Sequence, residues 1–295
     1  MLYQLSYELE DGHHRELLSN AQPIQRRVQN EGQSLLMRII GRMAIVGDRC
    51  ICIRKTEYSE TSQILTLFGR EHGMFRAIAK GAHRRTKAGA SKFDGGADLL
   101  DVGDAMTMLD VARDLNTLTE WKLCDGHLAL RSNLRGMYLG LYAAELVWSL
   151  LEEHDPHVEL FDRLEAVLCD VATARAEETF LAFELDLLRE TGHLPRLSGC
   201  VSCDRDGEAE YFSPARGGLI CRNCEGATPD RLSVDARLMR LAQQILSLPR
   251  SNGSPQRLPR LSRHQTDPLN RLLESHIEFN TGKRLRMPRY VTPDS

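Results

Sequence analysis

The 295-residue sequence has no long apolar segment, since its apolar runs extend over only a few residues and a membrane-spanning helix needs about 20. Its first residues do not combine a charged stretch with a following apolar one, so we expect no secretory signal and a cytoplasmic protein. Common catalytic and nucleotide-binding motifs are missing as well, among them GxxxxGK[ST], GxGxxG after a strand, HExxH and GxSxG. These absences favour a protein that is not an enzyme and has no membrane partner.

Excess positive charge is also missing from the chain as a whole, because its net charge is −3. Between Arg38 and Lys92, however, twelve lysines and arginines face only four acids, which gives this stretch +8 and leaves −11 for the remainder. A basic region on an otherwise acidic protein is typical of proteins that bind polyanions such as nucleic acid. The alternative is a solvated basic surface without a ligand.

Cysteine is present in an informative pattern. Cys200-Val201-Ser202-Cys203 is followed, after seventeen residues, by Cys221-Arg222-Asn223-Cys224. Two C-x-x-C pairs at this spacing predict one tetrahedral zinc ion whose four thiolates leave no open position, so the site would be structural. The alternatives are redox dithiols or unpaired thiols. We expect the other four cysteines to be buried thiols, namely Cys50, Cys52, Cys124 and Cys169.

The hydrophobic pattern predicts an α+β multi-domain protein: an N-terminal OB-fold β-barrel, then an all-α domain that carries a four-cysteine zinc knuckle. Alternating residues predict strands over 44–55, 62–68, 74–80, 98–109 and 114–121, with positive φ at Gly73. Helical spacing predicts helices over 135–151, 156–173, 177–191, 234–248 and 268–281, with Glu177 and Glu178 on solvated faces. The predicted domains are an extension, either poorly ordered or a start-site artefact (1–42), the OB-fold domain (43–121), the helical domain (122–197 and 227–290) and the zinc-binding insertion (198–226).

The barrel contains the residues that we expect to bind nucleic acid. Regularly spaced basic residues on a strand and in the adjoining loop between Gly81 and Gly96 would follow a phosphate backbone. The candidates are Arg54, Lys55, Arg76, Lys80, Arg84, Arg85 and Lys87. Tyr58 and Phe93 are candidates for stacking on bases, whereas Phe75 is expected in the core.

Two stretches of the barrel resemble the RecO family of bacterial recombination mediators. They are ICIRKTEYSETSQILTLF (51–68) and EHGMFRAIAKGAHR (71–84), and GKRLR (282–286) is similar to the basic tail of that family. The order of barrel, helical domain, embedded cysteine knuckle and terminal helix also matches. Residues 1–42 have no counterpart at the usual start of the family, and the basic loop carries Gly89 and Ala90 where more charge is expected.

The resemblance implies a DNA-repair protein of the RecF pathway. Such proteins bind single- and double-stranded DNA, anneal complementary strands and help RecA replace single-strand-binding protein (SSB). They act with RecR, many contact the acidic C-terminal tail of SSB, and they would be found at the nucleoid. Two rival hypotheses remain: a zinc-stabilised protein-interaction adaptor without DNA affinity, and a redox enzyme that uses the C-x-x-C pairs.

Overall fold

The computed structural model describes residues 44–82, 92–93, 96–205, 209–251, 254–255 and 258–292. The predicted extension and the candidate ligands Arg84, Arg85 and Lys87 lie outside the described residues. Described residues from 45 to 109 and from 114 onward belong to one compact unit, whereas Ala44 and residues 110–113 are assigned to another.

Five strands form a closed barrel in the order β1-β2-β3-β5-β4. β3 and β5 run parallel, while β1 and β2, β2 and β3, and β4 and β5 pair antiparallel. This arrangement confirms the predicted OB-type barrel. The strands are β1 (Ala44–Ser59), β2 (Ser62–Gly69), β3 (Gly73–Ala79), β4 (Val102–Leu109) and β5 (Asn116–Asp125).

The middle of β1 is buried on both sides, because one side faces the barrel interior and the other faces the helices. Cys50 and Cys52 lie in the barrel core, as predicted for buried thiols, together with Phe75. Ile51 and Ile53 belong instead to the core that the helices share. An uninterrupted apolar run in a strand is expected when neither side faces solvent. Toward Ser59 the burial of β1 ends, and its last residues from Thr56 onward are exposed.

The start of β4 and the end of β5 differ from the predicted boundaries of these strands. β4 begins at Val102 because residues 98–101 form a turn, in which the Asp98 N–H donates to Asp101 at 2.7 Å and Asp101 accepts from Arg131 at 2.7 Å. β5 continues to Asp125, beyond its predicted end. Gly73 has φ 67°, as predicted, and a Cβ there would lie 2.4 Å from the carbonyl oxygen of Asp155, so only glycine fits this turn.

Seven helices follow in the described part of the chain, and α4 packs against α2, α3, α5 and α6. None of these helices is long and apolar enough to cross a membrane. They are α1 (Leu128–Arg131), α2 (Leu134–Leu150), α3 (Val158–Asp170), α4 (Ala176–Glu190), α5 (Ala236–Ser247), α6 (Arg263–Thr281) and α7 (Pro288–Val291).

The start of α6 corrects a sequence prediction. The prediction placed the start at Pro268, a residue favoured in the first turn, but the helix begins at Arg263. Gln265 accepts hydrogen bonds from the Ser262 backbone N–H and hydroxyl, both at 3.0 Å, and this cap starts the helix one turn earlier. Pro268 therefore lies inside α6.

The acidic pair at the start of α4 was predicted to be solvated, and this is wrong. Glu178 is only 1% exposed and forms an ion pair with Arg175 at 3.2 Å. Glu177 accepts two hydrogen bonds from Arg135, at 2.7 and 2.8 Å. Because α4 is surrounded by other helices, both carboxylates meet arginines rather than water.

A further acidic residue of α4, Glu184, should make the stability of the fold depend on pH. Glu184 is fully buried, and burial, followed by the nearby Glu274, raises its pKa well above the ordinary 4.5. Burial favours the neutral form of this group in the folded protein, whereas the unfolded chain ionises it above about pH 4.5, so the group destabilises the fold increasingly as pH rises. Glu184→Gln is expected to raise the free energy of unfolding by about 1 kcal/mol or more at pH 8 and by far less at pH 5. Urea denaturation at the two pH values measures this, and an equal effect at both would contradict it.

Candidate nucleic-acid interface and cysteine cluster

A row of side chains crosses three strands at the exposed end of the barrel. Arg54 on β1 pairs in register with Thr66 on β2, which pairs with Arg76 on β3. Since neighbouring strands are about 4.8 Å apart, the two arginine backbones lie about 10 Å from each other on the same side. Strand alternation places Lys80 on this side too, just after β3, and all three cations are exposed.

The C-terminal basic tail extends this row by way of an indole ring. The guanidinium of Arg54 lies 4.1 Å from the ring centre of Trp148 on α2, and the Lys283 Nζ lies 5.3 Å from the same ring. The pKa of Arg54 is lowered by burial first and then by the positive charges of Arg286 and Arg76, and the charge of Glu145 opposes this shift. We call the set Arg54, Arg76, Lys80, Lys283 and Arg286 the basic ridge.

The charges of the basic ridge are largely available to a ligand. Among the residues that the structure describes, no carboxylate forms an ion pair with Arg54, Arg76 or Lys80. Glu145 is one nearby carboxylate that keeps its charge, and its oxygens accept the backbone N–H groups of Arg286 and Met287, both at 2.8 Å, so it is outnumbered by the five cations of the ridge. The ridge is therefore a positive surface rather than one side of an ion-pair network.

The candidate Lys55 is placed differently from its neighbour Arg54. Its Nζ lies 3.0 Å from Asp98 and 3.5 Å from Glu57, so two carboxylates already neutralise its charge. A β-bulge between Cys52 and Arg54 changes the register here. The structure therefore brings Arg54, Arg76 and Lys80 together but holds Lys55 in an ion pair.

Beside the ridge lies a pocket of about 380 Å³ that is lined by apolar and by basic side chains. Ile78 and Phe93 contribute apolar surface, and Lys80 and Lys92 contribute the charges. Tyr58 at its edge is 66% exposed, whereas Phe93 is only 5% exposed. Tyr58 is thus free to stack on a base, and the Phe93 ring forms part of the pocket wall.

The four cysteines of the C-x-x-C pairs lie together beside a small sheet. β7 (Gly218–Ile220), β6 (Tyr211–Ser213) and β8 (Leu232–Ser233) form this sheet in that order, and Cys221 follows β7 directly. The Sγ atoms of Cys200, Cys203, Cys221 and Cys224 all lie within 4.8 Å of one another, and none of the four is in a disulfide.

The four sulfur donors fit a metal ion that thiolates bind well, such as zinc. Burial opposes ionisation of Cys200, but hydrogen bonds from the backbone of Cys221, Ser202 and Cys203 outweigh it and lower its pKa to about 6. The pKa of Cys224 is raised to about 12, chiefly by its hydrogen bond with the Cys221 side chain. Four sulfurs this close favour one shared cation, because adjacent thiolates otherwise repel each other.

Sequence reasoning did not select Trp148 as a site residue, it counted Lys92 only in the basic stretch, and it noted Lys283 and Arg286 only as part of a tail. Trp148 has the spacing of a packed helix residue, and nothing local shows that it will contact cations. Two further predictions on cysteines are wrong: Cys124 and Cys169 are exposed, since Cys124 lies on the part of β5 beyond its predicted end and Cys169 lies in the last turn of α3.

Comparison with known proteins agrees with this architecture. Residues 43–127 match the family model for the N-terminal region of recombination protein O, and residues 131–288 match the model for its C-terminal region. The DNA repair protein RecO of Rhodopirellula baltica is 36% identical over 205 residues, which cover 68% of this chain and 74% of that protein. The DNA repair protein RecO of Anaeromyxobacter dehalogenans is 32% identical over 248 residues, which cover 82% of this chain and 93% of that protein. The chain therefore belongs to the RecO family of DNA repair and recombination proteins.

Proposed function

We propose that this chain is a non-enzymatic recombination mediator whose OB barrel binds the DNA backbone along the basic ridge. The observation that carries the proposal is the row of exposed cations across β1 and β3, which carry no ion pair among the described residues and are continued by Lys283 over the Trp148 ring. Each phosphate that such a surface neutralises releases condensed counterions, and this release drives binding.

The ridge and its pocket together suit strand annealing. A strand held on a positive surface repels its complement less, and base pairing then supplies the driving force without any bond chemistry. The pocket beside Tyr58 would accept a base from a strand held on the ridge, because its apolar lining and an exposed aromatic ring favour stacking. The loop residues Arg84, Arg85 and Lys87 would extend the same contact.

We further propose that the metal at the four cysteines is Zn²⁺ with a structural role. Cys200, Cys203, Cys221 and Cys224 would hold it, and four thiolates fill the tetrahedron, so the ion would cross-link the segment rather than activate water. The small sheet beside the cysteines has few residues with which to form its own core.

The partners are proposed from the family. The helical region would present surfaces to RecR and to the acidic C-terminal tail of SSB, and RecA would act afterwards on strands cleared of SSB. DNA binding would bring the protein to the nucleoid. The relatives are named DNA repair proteins, and this supports a role at DNA.

The salt dependence of DNA binding tests the proposal. Arg76→Ala combined with Lys80→Ala should weaken binding to single-stranded DNA and reduce the slope of log K against log salt by about 1.4, which is about 0.7 for each lost phosphate contact. Fluorescence anisotropy with a labelled oligonucleotide, from 50 to 300 mM salt, measures both quantities. Arg237→Ala, which removes an exposed arginine of α5, is the matched control and should leave the slope unchanged.

The rival adaptor hypothesis gives a different result in the same experiment. An adaptor whose basic ridge is merely solvated would show no measurable DNA affinity in the wild-type protein. If the Arg76→Ala, Lys80→Ala variant keeps the wild-type slope of log K against log salt, as the Arg237→Ala control should, the ridge would also be excluded as the binding surface.

A further inference from the structure

A second group of metal-ligating side chains lies where the barrel meets the helices. Asp125 ends β5, His127 immediately precedes α1, and Cys169 lies in the last turn of α3. One ligand atom from each of the three residues lies within 4.8 Å of the others, and the His127 Nε2 is 3.9 Å from an Asp125 carboxylate oxygen. None of the three belongs to the four-cysteine cluster.

His127 is the unusual member of this group. Its side chain is 3% exposed, and neither ring nitrogen has a hydrogen-bond partner within the described part of the chain. Its backbone has φ 47° and ψ 52°, the left-handed region that non-glycine residues rarely adopt. A buried polar group without a partner is costly, and so is this backbone conformation, so the ring has the properties of a ligand for something that is not a protein atom.

Local hydrogen bonds hold two of the three ligands in place. One carboxylate oxygen of Asp125 accepts the backbone N–H of His127 at 2.7 Å, which leaves the other oxygen facing the imidazole. The carbonyl of the intervening Gly126 accepts from Arg131 at 2.7 Å, so the turn itself is anchored to α1. Such supporting bonds are what orient ligands around a metal ion.

We propose that Asp125, His127 and Cys169 form a second Zn²⁺ site, which joins the end of the barrel to α3. A donor set of oxygen, nitrogen and sulfur suits zinc and excludes magnesium and calcium, which take oxygen ligands. Ligand atoms around a tetrahedral zinc lie roughly 3.3–3.8 Å apart, close to the observed 3.9 Å, and the exposed Cys169 side chain is free to approach. Three protein ligands leave a fourth position for water or for a donor from a partner.

Zinc content of the full-length protein tests this site. After equilibration with Zn²⁺ and gel filtration, Cys169→Ser and His127→Asn should each contain one zinc fewer per chain than the wild type. Asparagine tolerates the left-handed backbone, so the second variant removes the imidazole while keeping the turn. Cys124→Ser removes another exposed cysteine near the end of β5 and should retain the wild-type content.

Two further results make the test decisive. Circular dichroism should show that both variants keep the wild-type secondary structure, and Co²⁺ loading should show loss of only the weaker thiolate-to-metal absorption that a single cysteine gives. If either variant keeps the wild-type zinc content, the site does not exist. The test compares the zinc content of each variant with that of the wild type and looks for a difference of one zinc per chain. Its outcome therefore does not depend on whether the ridge binds DNA or on whether the four-cysteine site is filled.

Discussion

Replacing Arg54 and Arg76 together by glutamate is expected to weaken binding to single-stranded DNA about 30-fold at 0.1 M salt. Each reversal turns an attraction to phosphate into a repulsion, and for two positions this amounts to about 2 kcal/mol after screening. Both side chains are exposed, and they lie across three strands from each other, so one strand of DNA can contact both. Anisotropy titration measures the change.

Two controls separate this effect from a general change in charge. Arg237→Glu with Arg260→Glu makes the same change of four charges on exposed arginines of the helical region, and it should weaken binding only slightly. Lys55→Gln removes a lysine that Asp98 and Glu57 already neutralise, and it should have a smaller effect than Arg76→Gln. Equal losses in the controls and in the ridge variants would show that net charge, not the ridge, governs affinity.

Removing the ligands of the zinc that we propose at the four cysteines should have the largest structural effect. In Cys203→Ser combined with Cys221→Ser, we expect zinc to be lost from the knuckle and proteolytic cleavage between Gly199 and Asp230 to become about 100-fold faster or more. Zinc contributes on the order of 10 kcal/mol to small metal-stabilised folds, and about 3 kcal/mol is enough for this change. Limited proteolysis with peptide mapping, alongside metal analysis, measures it.

The matched control is Cys124→Ser, because Cys124 is also exposed but lies outside both metal-ligating groups. It should retain the wild-type metal content and cleavage rate. Unchanged cleavage in the double variant would mean that the knuckle folds without metal. Cysteine thiols that titrate with disulfide reagents, in a protein with no bound metal, would instead support the redox hypothesis.

The sequence predicted those features that local spacing determines. Alternation predicted the strands of the barrel, and the repeated C-x-x-C spacing predicted which four sulfurs lie together. The positive φ of Gly73 followed from the length of the turn between β2 and β3. In each case the physical cause acts between residues that are close in the chain.

The missed features depend on contacts between distant segments. Arg54, Trp148 and Lys283 come from three parts of the chain, and nothing near any one of them shows that they will meet. Glu178 was expected to be solvated because its partners on other helices cannot be read from its own helix. Nothing in the sequence near His127 marks it as a ligand, because its neighbour Cys169 lies 42 residues away in the chain.

Photocrosslinking tests most directly whether the basic ridge holds DNA. Benzoylphenylalanine placed at Ile78, between Arg76 and Lys80, should crosslink to single-stranded DNA, and excess salt should suppress the crosslink. The same probe at Leu134 should not react, although this side chain is 67% exposed, because it lies about 21 Å from Trp148 along α2. Crosslinks at Leu134 but not at Ile78 would contradict the account and place the DNA elsewhere on the protein.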